Sequence, residues 1–254
     1  CDDKYALCKV LEHFGIPVVE HNIVYAPSNK ESYAKDCNTV KYLQELFLKY
    51  HKSVVLKINN GTCGNGVVYI TDIKKLEEYY LKLCNKSFSL SLCPFIDIEN
   101  EYRLIILNKK IELIYKKELP VVYGDGKSPI KELLKNFNYE YFESYDGTNK
   151  DIILKENEEY VYNWKFNLSG GAKASFDIDN EIKTEIIKLA TKIITKVDLK
   201  FGSIDIIRDK KGNYYCLEIN SGVMMDNLIK ENESGYEIAK NIYKKAIISM
   251  FKEK

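Results

Sequence analysis

The chain has 254 residues, long enough to bury a sizeable core as one large domain or two small ones. Its 38 Lys and Arg balance 37 Asp and Glu, which leaves no overall basic field for nucleic acid or for an acidic membrane surface. Seven scattered cysteines without a CxxC spacing favour a reduced, cytoplasmic compartment over a disulfide framework. No apolar run approaches the ~20 residues that span a bilayer, and no signal peptide opens the chain. A start at Cys1 rather than at a methionine is expected of a fragment or a processed product.

Asp2 and Asp3 can cap a first helix with an apolar stripe of Leu7, Val10, Leu11 and Phe14, stopped by Gly15 and Pro17. Residues 18–25 read as extended. A second amphipathic helix carries Val40, Leu43, Phe47 and Tyr50 on one face. Val54–Ile58 and Val67–Ile70 are rich in β-branched and aromatic residues and read as strands. Asp72 caps a helix with Ile73, Leu76, Tyr80 and Leu83 inside, so residues 18–92 form a small α+β unit. Residues 88–96 are apolar, and 102–107 pairs with 111–115 around Asn108-Lys109-Lys110. Ser128 and Pro129 start a helix as cap and first residue. Residues 136–163 are polar and tyrosine-rich, as surface structure is. Asp179 caps a helix with Ile182, Ile186, Leu189, Ile193 and Val197 inside. Two strands then flank Asp209-Lys210-Lys211-Gly212, and Ser234 caps a last helix that buries Ile238, Ile242, Ala246 and Phe251. There is no internal repeat.

Two stretches carry chemistry. In "VVLKINNGTCGNGVVYI", Lys57 ends an apolar run and Gly61, Gly64 and Gly66 follow. Val67 and Val68 stand where a Walker A loop needs Lys and Ser/Thr, and Tyr69 where a dinucleotide fingerprint needs its third glycine. The unit is strand–loop–strand. It is either an ordinary hairpin or a mobile flap whose bare N–H groups close on phosphate oxygens. In "FGSIDIIRDKKGNYYCLEINSG", alternation puts Asp205, Glu218 and Asn220 on one face, with Asp205 opposite Cys216 and diagonal to Glu218. Ile204, Ile206, Leu217 and Ile219 fall on the other face. The polar face is either solvated or a site for Mg2+, which prefers such hard oxygen donors.

In order along the chain, these pieces resemble the ATP-grasp superfamily of carboxylate–amine ligases. They are a helix opening with Asp3-Lys4, the strand lysine before a glycine flap, the segment "SLCPFI" leading to "ENEYRLIIL", and the acidic pair "SIDII" and "CLEINSG". The stretches "VVYGDGKSPIKELL" and "NLSGGAKA" resemble the branch of cyanophycin synthetase, bifunctional glutathione synthetase and ribosomal-protein glutamate ligase. The resemblance implies an α+β ATP-grasp fold in which two α+β subdomains clasp ATP: a lid of 18–92, and a central and C-terminal part of 1–17 and 93–254. It implies that Lys4 and Lys57 contact the nucleotide, and that Gly61, Thr62, Cys63, Gly64 and Gly66 belong to the flap. Pro94, Phe95 and Ile96 form the adenine hinge, and Glu101 takes the ribose hydroxyls. Arg103 and Lys165 stabilise the γ-phosphoryl group or the acyl phosphate, while Asn167 and the Gly170-Gly171 turn shape the reacting centre. Asp205, Glu218 and Asn220 hold two Mg2+ ions, which Mn2+ can replace.

The substrates implied are ATP, a carboxylate donor and an amine acceptor of amino-acid or peptide type. The resemblance implies an N-terminal domain that often binds substrate and that is either missing or on a part of the chain beyond the given residues, and a homo-oligomer is compatible with the sequence. "NSGVMMDNLI" replaces the family's small-Pro-Gly stretch, so substrate identity does not carry over. The chemistry explains the residue types. Transfer of a phosphoryl group to a carboxylate needs positioning and cations rather than a protein nucleophile. No Ser-His-Asp or Cys-His arrangement is visible; His13, His21 and His51 are scattered, and His13 reads as structural. On the residues alone, Lys57 could be a strand-edge charge, Arg103 could pair with Glu101, and Lys165 could lie on the Trp164 ring. A nucleotide-binding module without ligase activity, or a phosphotransferase, would use the same residues. If the loop is a flap, a non-hydrolysable ATP analogue with Mg2+ protects residues 59–66 from limited proteolysis; equal cleavage with and without it rules the flap out.

Overall fold

A computed structural model describes residues 3–62, 64–138, 142, 145, 147–231 and 233–252. Asp2 of the expected cap and Cys63 of the loop lie outside the described residues. The elements begin with α1 (Lys4–His13), β1 (Asn22–Tyr25), α2 (Val40–Lys49), β2 (Val54–Ile58), β3 (Val67–Ile70) and α3 (Ile73–Cys84). They continue with β4 (Ser89–Pro94), β5 (Ile98–Leu107), β6 (Lys110–Glu118), β7 (Val121–Tyr123), α4 (Ile130–Phe137), β8 (Glu159–Val161) and β9 (Lys173–Ser175). The last are α5 (Asn180–Lys196), β10 (Phe201–Asp209), β11 (Tyr214–Asn220), α6 (Asp226–Glu231) and α7 (Gly235–Lys252). The class is α+β, divided into two compact units: Cys1–Ile114 with Asp179–Val223, and Tyr115–Ile178 with Met224–Lys254.

The first unit holds a four-stranded antiparallel sheet in the order β1-β4-β2-β3. Its helices start where side-chain oxygens accept orphan N–H groups: Thr39 from Tyr42 before α2, and Asp72 from Lys75 before α3. Alternation gives the sheet two unlike faces. Val54, Leu56, Leu90 and Leu92 pack against Leu43, Phe47, Leu76 and Tyr80 of the two helices. The other face carries Val55 and Lys57 of β2, paired with Cys93 and Ser91 of β4 and with Tyr69 and Val67 of β3.

The same unit contains the strand order β11-β10-β5, with the first residues of β6 beside β5. Asn108 and Lys109, both at positive φ, form the tight turn between β5 and β6. The register of β10 with β11 corrects the sequence reading. Asp205 pairs directly with Glu218, not diagonally, while Ile206 pairs with Cys216. Leu217 is therefore the extra residue of a bulge, and a bulge reverses which face the following residues take. Cys216 is turned to the Ile204–Ile206 side, fully buried, with its N–H donating to Pro17 (2.9 Å). Leu217 is turned to the Asp205 side, opposite to expectation.

Other elements depart by small rotations. Asp3 caps α1 by accepting from Ala6 (2.7 Å), but the buried stripe is Leu7, Cys8 and Leu11. Val10 and Phe14 are exposed because His21 folds back onto the Cys8 side of the helix, its N–H on the Cys8 sulfur (3.3 Å). In the second unit, Pro129 and not Ser128 occupies the cap position of α4. Ser128 is held instead by Asp125, whose carboxylate accepts from its N–H and its hydroxyl (2.7 Å each). Helix α4 closes over the β7–β8 ribbon through Ile130, Leu134 and Val122. The last helix buries Ala239, Ile242 and Ala246, while Phe251 is exposed.

The ladder between β10 and β11 leaves no room at Gly202, where a Cβ would lie 2.5 Å from the Asn220 carbonyl and 2.6 Å from Leu199. Gly202→Ala is expected to cost about 1–3 kcal/mol, the range of an overpacked core substitution, read as a lower urea midpoint with an unchanged slope.

Candidate nucleotide and metal site

Register places a row of charges across three strands of the first unit. Arg103 on β5 is the strand partner of Asp205 on β10, which is the partner of Glu218 on β11. The Arg103 guanidinium grips the Asp205 carboxylate as a fork: Nε donates to Oδ1 at 2.7 Å and Nη2 to Oδ2 at 2.6 Å. Asp205 is 2% exposed, and a carboxylate so buried requires such a partner. Glu218 is met by Lys4 from the start of α1, Nζ to Oε1 at 3.5 Å. Arg103 thus pairs with Asp205. Asn220 lies one pair further along, opposite the buried Ser203. The donor chemistry fits a hard divalent cation: two facing carboxylates and a neighbouring amide, with positions left for water and phosphate oxygens. Among the described residues no group of three His, Cys, Asp or Glu is placed to hold a metal ion.

Two residues along the same face, Ile207 is the partner of Glu101. Ile207 also joins Val19, Val55 and Cys93 in a buried apolar cluster, against which Phe95, Ile96 and Leu217 pack half-buried. The bulge has turned Leu217 into this cluster. Val55 and Cys93 come from the helix-free face of the four-stranded sheet, so that face and the Ile207 face meet here. Lys57 lies two residues beyond Val55, as Asp205 lies two beyond Ile207. The apolar floor and the charged row are therefore offset by about 7 Å along the strands, with Glu101, 6% exposed, at the level of the floor. Lys57 is 8% exposed and no carboxylate pairs with it among the described residues. It lies beside Cys93, whose thiol burial pushes up while the Lys57 ammonium acts the other way. A buried ammonium without a carboxylate suits an anionic ligand.

The expected hinge follows β4. Pro94 has no N–H, and the Phe95 N–H already donates to the Ser53 carbonyl at 2.9 Å. The Phe95 ring lies 4.1 Å from that of Tyr69, tilted by 30°.

The glycine loop has a structural account of its own. Gly64 and Gly66 sit at φ 71° and 66°, the left-handed region that favours glycine. A Cβ on Gly66 would also press on Ile58 at 2.9 Å, and Gly61 packs on the same side chain. Thr62 is exposed. The loop base is tied to α1: the Asn59 carbonyl accepts from the Lys4 N–H (3.2 Å), and the Asn59 side chain accepts from the Tyr5 N–H (3.0 Å). The Lys4 ammonium donates to the Gly61 carbonyl at 2.5 Å. Lys4 therefore bridges the loop and Glu218.

Lys165, Asn167 and Gly171 belong to the second unit. Asn167 caps a short 3-10 turn, accepting from the Ser169 N–H and hydroxyl (3.2 and 3.0 Å). Gly171 closes that turn at φ 95°. Lys165 Nζ lies 5.7 Å from the centre of the Trp164 ring.

Sequence reasoning left His21 as one of three scattered histidines. It is 1% exposed, and its Nδ1 shares a 2.6 Å hydrogen bond with the buried Ser91 hydroxyl, the strand partner of Lys57. No local signal marks this pair, because its members lie 70 residues apart. Burial, reinforced by the charges of Lys57, Lys4 and Lys9, holds the imidazole well below its usual 6.5. A histidine kept neutral in the fold is protonated first in the unfolded chain. Its contribution is intact above pH 6.5 and is lost as pH falls from there toward the depressed folded value. The urea midpoint of the parent should drop between pH 7 and 5.5, and His21→Gln should flatten that dependence.

Comparison with known proteins agrees with this architecture. Residues 157–246 match the model of the RimK-like ATP-grasp domain. Cyanophycin synthetase of Geminocystis herdmanii is 23% identical over 230 residues, which cover 81% of this chain; the chain spans a quarter of that relative's length (25%). D-alanine–D-alanine ligase of Bacillus anthracis superposes on the whole chain (100%) and on 70% of its own, with TM-score 0.65 and 14% identity. D-alanyl-alanine synthetase A of Vibrio cholerae covers 87% of this chain and 55% of its own, with TM-score 0.55 and 13% identity. No helix among the described residues is long and apolar enough to cross a membrane. The layered sheets, the glycine-bearing hairpin and the charged β5–β10–β11 row make this chain an α+β protein with the ATP-grasp fold.

Proposed function

We propose that the chain is the ATP-binding and catalytic part of a Mg2+-dependent ligase that joins a carboxylate to an amine, on amino-acid or peptide substrates in the cytoplasm. The observation that carries this reading is the row Arg103–Asp205–Glu218–Lys4 beside an apolar floor and the buried Lys57. A structure of the Bacillus anthracis ligase in complex with ATP aligns with the full chain (100%) at TM-score 0.57 and 15% identity, which supports the same ligand here. In this reading the base lies on Val55, Cys93, Ile207 and Leu217, and Ile96 offers the N–H. Glu101 takes the ribose hydroxyls, and Lys57 takes phosphate oxygens under the flap of Gly61 to Gly66. Asp205, Glu218 and Asn220 would hold Mg2+ or Mn2+, which neutralises charge on the transferring phosphoryl group when bound.

The reaction proceeds in two balanced steps. A carboxylate oxygen attacks the γ-phosphorus, the bond to the β-bridging oxygen breaks, and ADP leaves with an acyl phosphate formed. The amine then attacks the acyl carbon, phosphate departs with the bonding pair, and the nitrogen loses a proton to give the amide. Arg103 offsets charge on the phosphoryl oxygens. Lys165, Asn167 and Gly171 enter the acyl-phosphate step on the strength of the family resemblance. The lid must exclude water because an acyl phosphate hydrolyses.

ADP release across a panel of amino acids and peptides tests this reading, with hydroxylamine as amine surrogate. A hydroxamate formed only with ATP, Mg2+ and a carboxylate is the expected result; ADP release without any hydroxamate would place the chain among phosphotransferases. Glu218→Gln should lower turnover on the order of 100-fold or more, the scale of losing one electrostatic stabiliser, and unchanged turnover would remove the metal assignment.

A further inference from the structure

The two candidate metal carboxylates are both already neutralised from within the protein. Both oxygens of Asp205 are taken by the Arg103 fork, at 2.7 and 2.6 Å, and Glu218 is held by Lys4 at 3.5 Å. Two acids side by side in one strand pair repel each other and need such partners. We infer that Arg103 and Lys4 are internal place-holders for the cation site: they occupy it in the nucleotide-free protein, and they leave the carboxylates for phosphate oxygens when metal and nucleotide arrive together. The inference rests on the metal assignment made above.

The argument is one of charge accounting. A divalent cation entering alone must detach Arg103 from a carboxylate that is 2% exposed, and it leaves two cations facing it without the acids that now balance their charge. A nucleotide entering alone meets cations already committed to acids. When both arrive, every charge has a partner again: acids with the metal, Arg103 and Lys4 with phosphates. Binding of each is thus coupled to binding of the other. Lys4 extends the exchange to the flap, because the same ammonium donates to the Gly61 carbonyl at 2.5 Å and reaches Asn59 at 3.4 Å. Release of Lys4 from Glu218 alters the tie that holds the loop base to α1.

The test is Mn2+ binding to the nucleotide-free chain, followed by electron paramagnetic resonance of free Mn2+, in the parent and in Arg103→Gln, Lys4→Gln and Lys57→Gln. Arg103→Gln and Lys4→Gln should each bind Mn2+ about tenfold more tightly than the parent, a coupling of ordinary allosteric size. Lys57→Gln removes the same unit charge without touching either carboxylate and should stay within about threefold of the parent, as a screened, longer-range charge does. Arg103→Gln exposes a buried acid and can lower stability, so the Mn2+-induced rise in its melting temperature gives a second reading, and Lys4→Gln, at a less buried acid, gives an independent one. Variants that bind Mn2+ no more tightly than the parent, or a Lys57→Gln gain equal to theirs, overturn the place-holder role while leaving the metal site standing. Absence of Mn2+ binding in all four proteins, with a non-hydrolysable ATP analogue also present, removes the metal assignment and the inference with it.

Discussion

Two carboxylates face each other across β10 and β11, and much of the first unit is arranged around that fact. Directly paired strand residues hold their Cβ atoms about 4.5–5.5 Å apart, where like charges in a poorly solvated setting repel strongly. Asp205 and Glu218 stand in this relation. Each is answered by a cation from a different element, Arg103 on β5 and Lys4 on α1. The first strand pairing and the docking of α1 are thus bound up with the electrostatics of the site.

The four-stranded sheet divides its labour by the period of two. One face is a conventional core under α2 and α3. The other presents Val55 and Lys57 in succession, an apolar contact followed by a buried charge. Opposite it, β10 presents Ile207 and Asp205 in the same succession. An amphiphilic ligand with a flat apolar end and an anionic end matches this order without any rearrangement of the strands. The bulge at Leu217 completes the floor, because it carries an apolar side chain to the face where regular alternation would have placed Cys216.

Local physics was legible in the sequence. Asp72 and Asp179 announced their helices because a short side-chain oxygen followed by an apolar period has one good use, and both cap as expected. The glycine hairpin was recognised as strand–loop–strand from its β-branched flanks. Asp205, Glu218 and Asn220 were assigned to one face by alternation alone. The ordered series of these pieces sufficed to recognise the fold.

What the sequence could not contain was pairing at a distance. A bulge leaves no mark in composition, so Leu217 and Cys216 were placed on each other's faces until the ladder fixed the register. Lys4 reads as a nucleotide contact, and no local signal shows that folding also sets it between Glu218 and the loop base. His21 looked like one scattered histidine among three, and only the crossing of β1 and β4 brings it to Ser91. The rotation of α1 toward Cys8 has the same origin. The sequence by itself determined the elements, their caps and the residue types of the chemistry, since those follow from short-range sterics and periodicity. The tertiary structure alone decided which cation answers which acid, because that depends on strand register and on burial, and neither is a property of any local stretch.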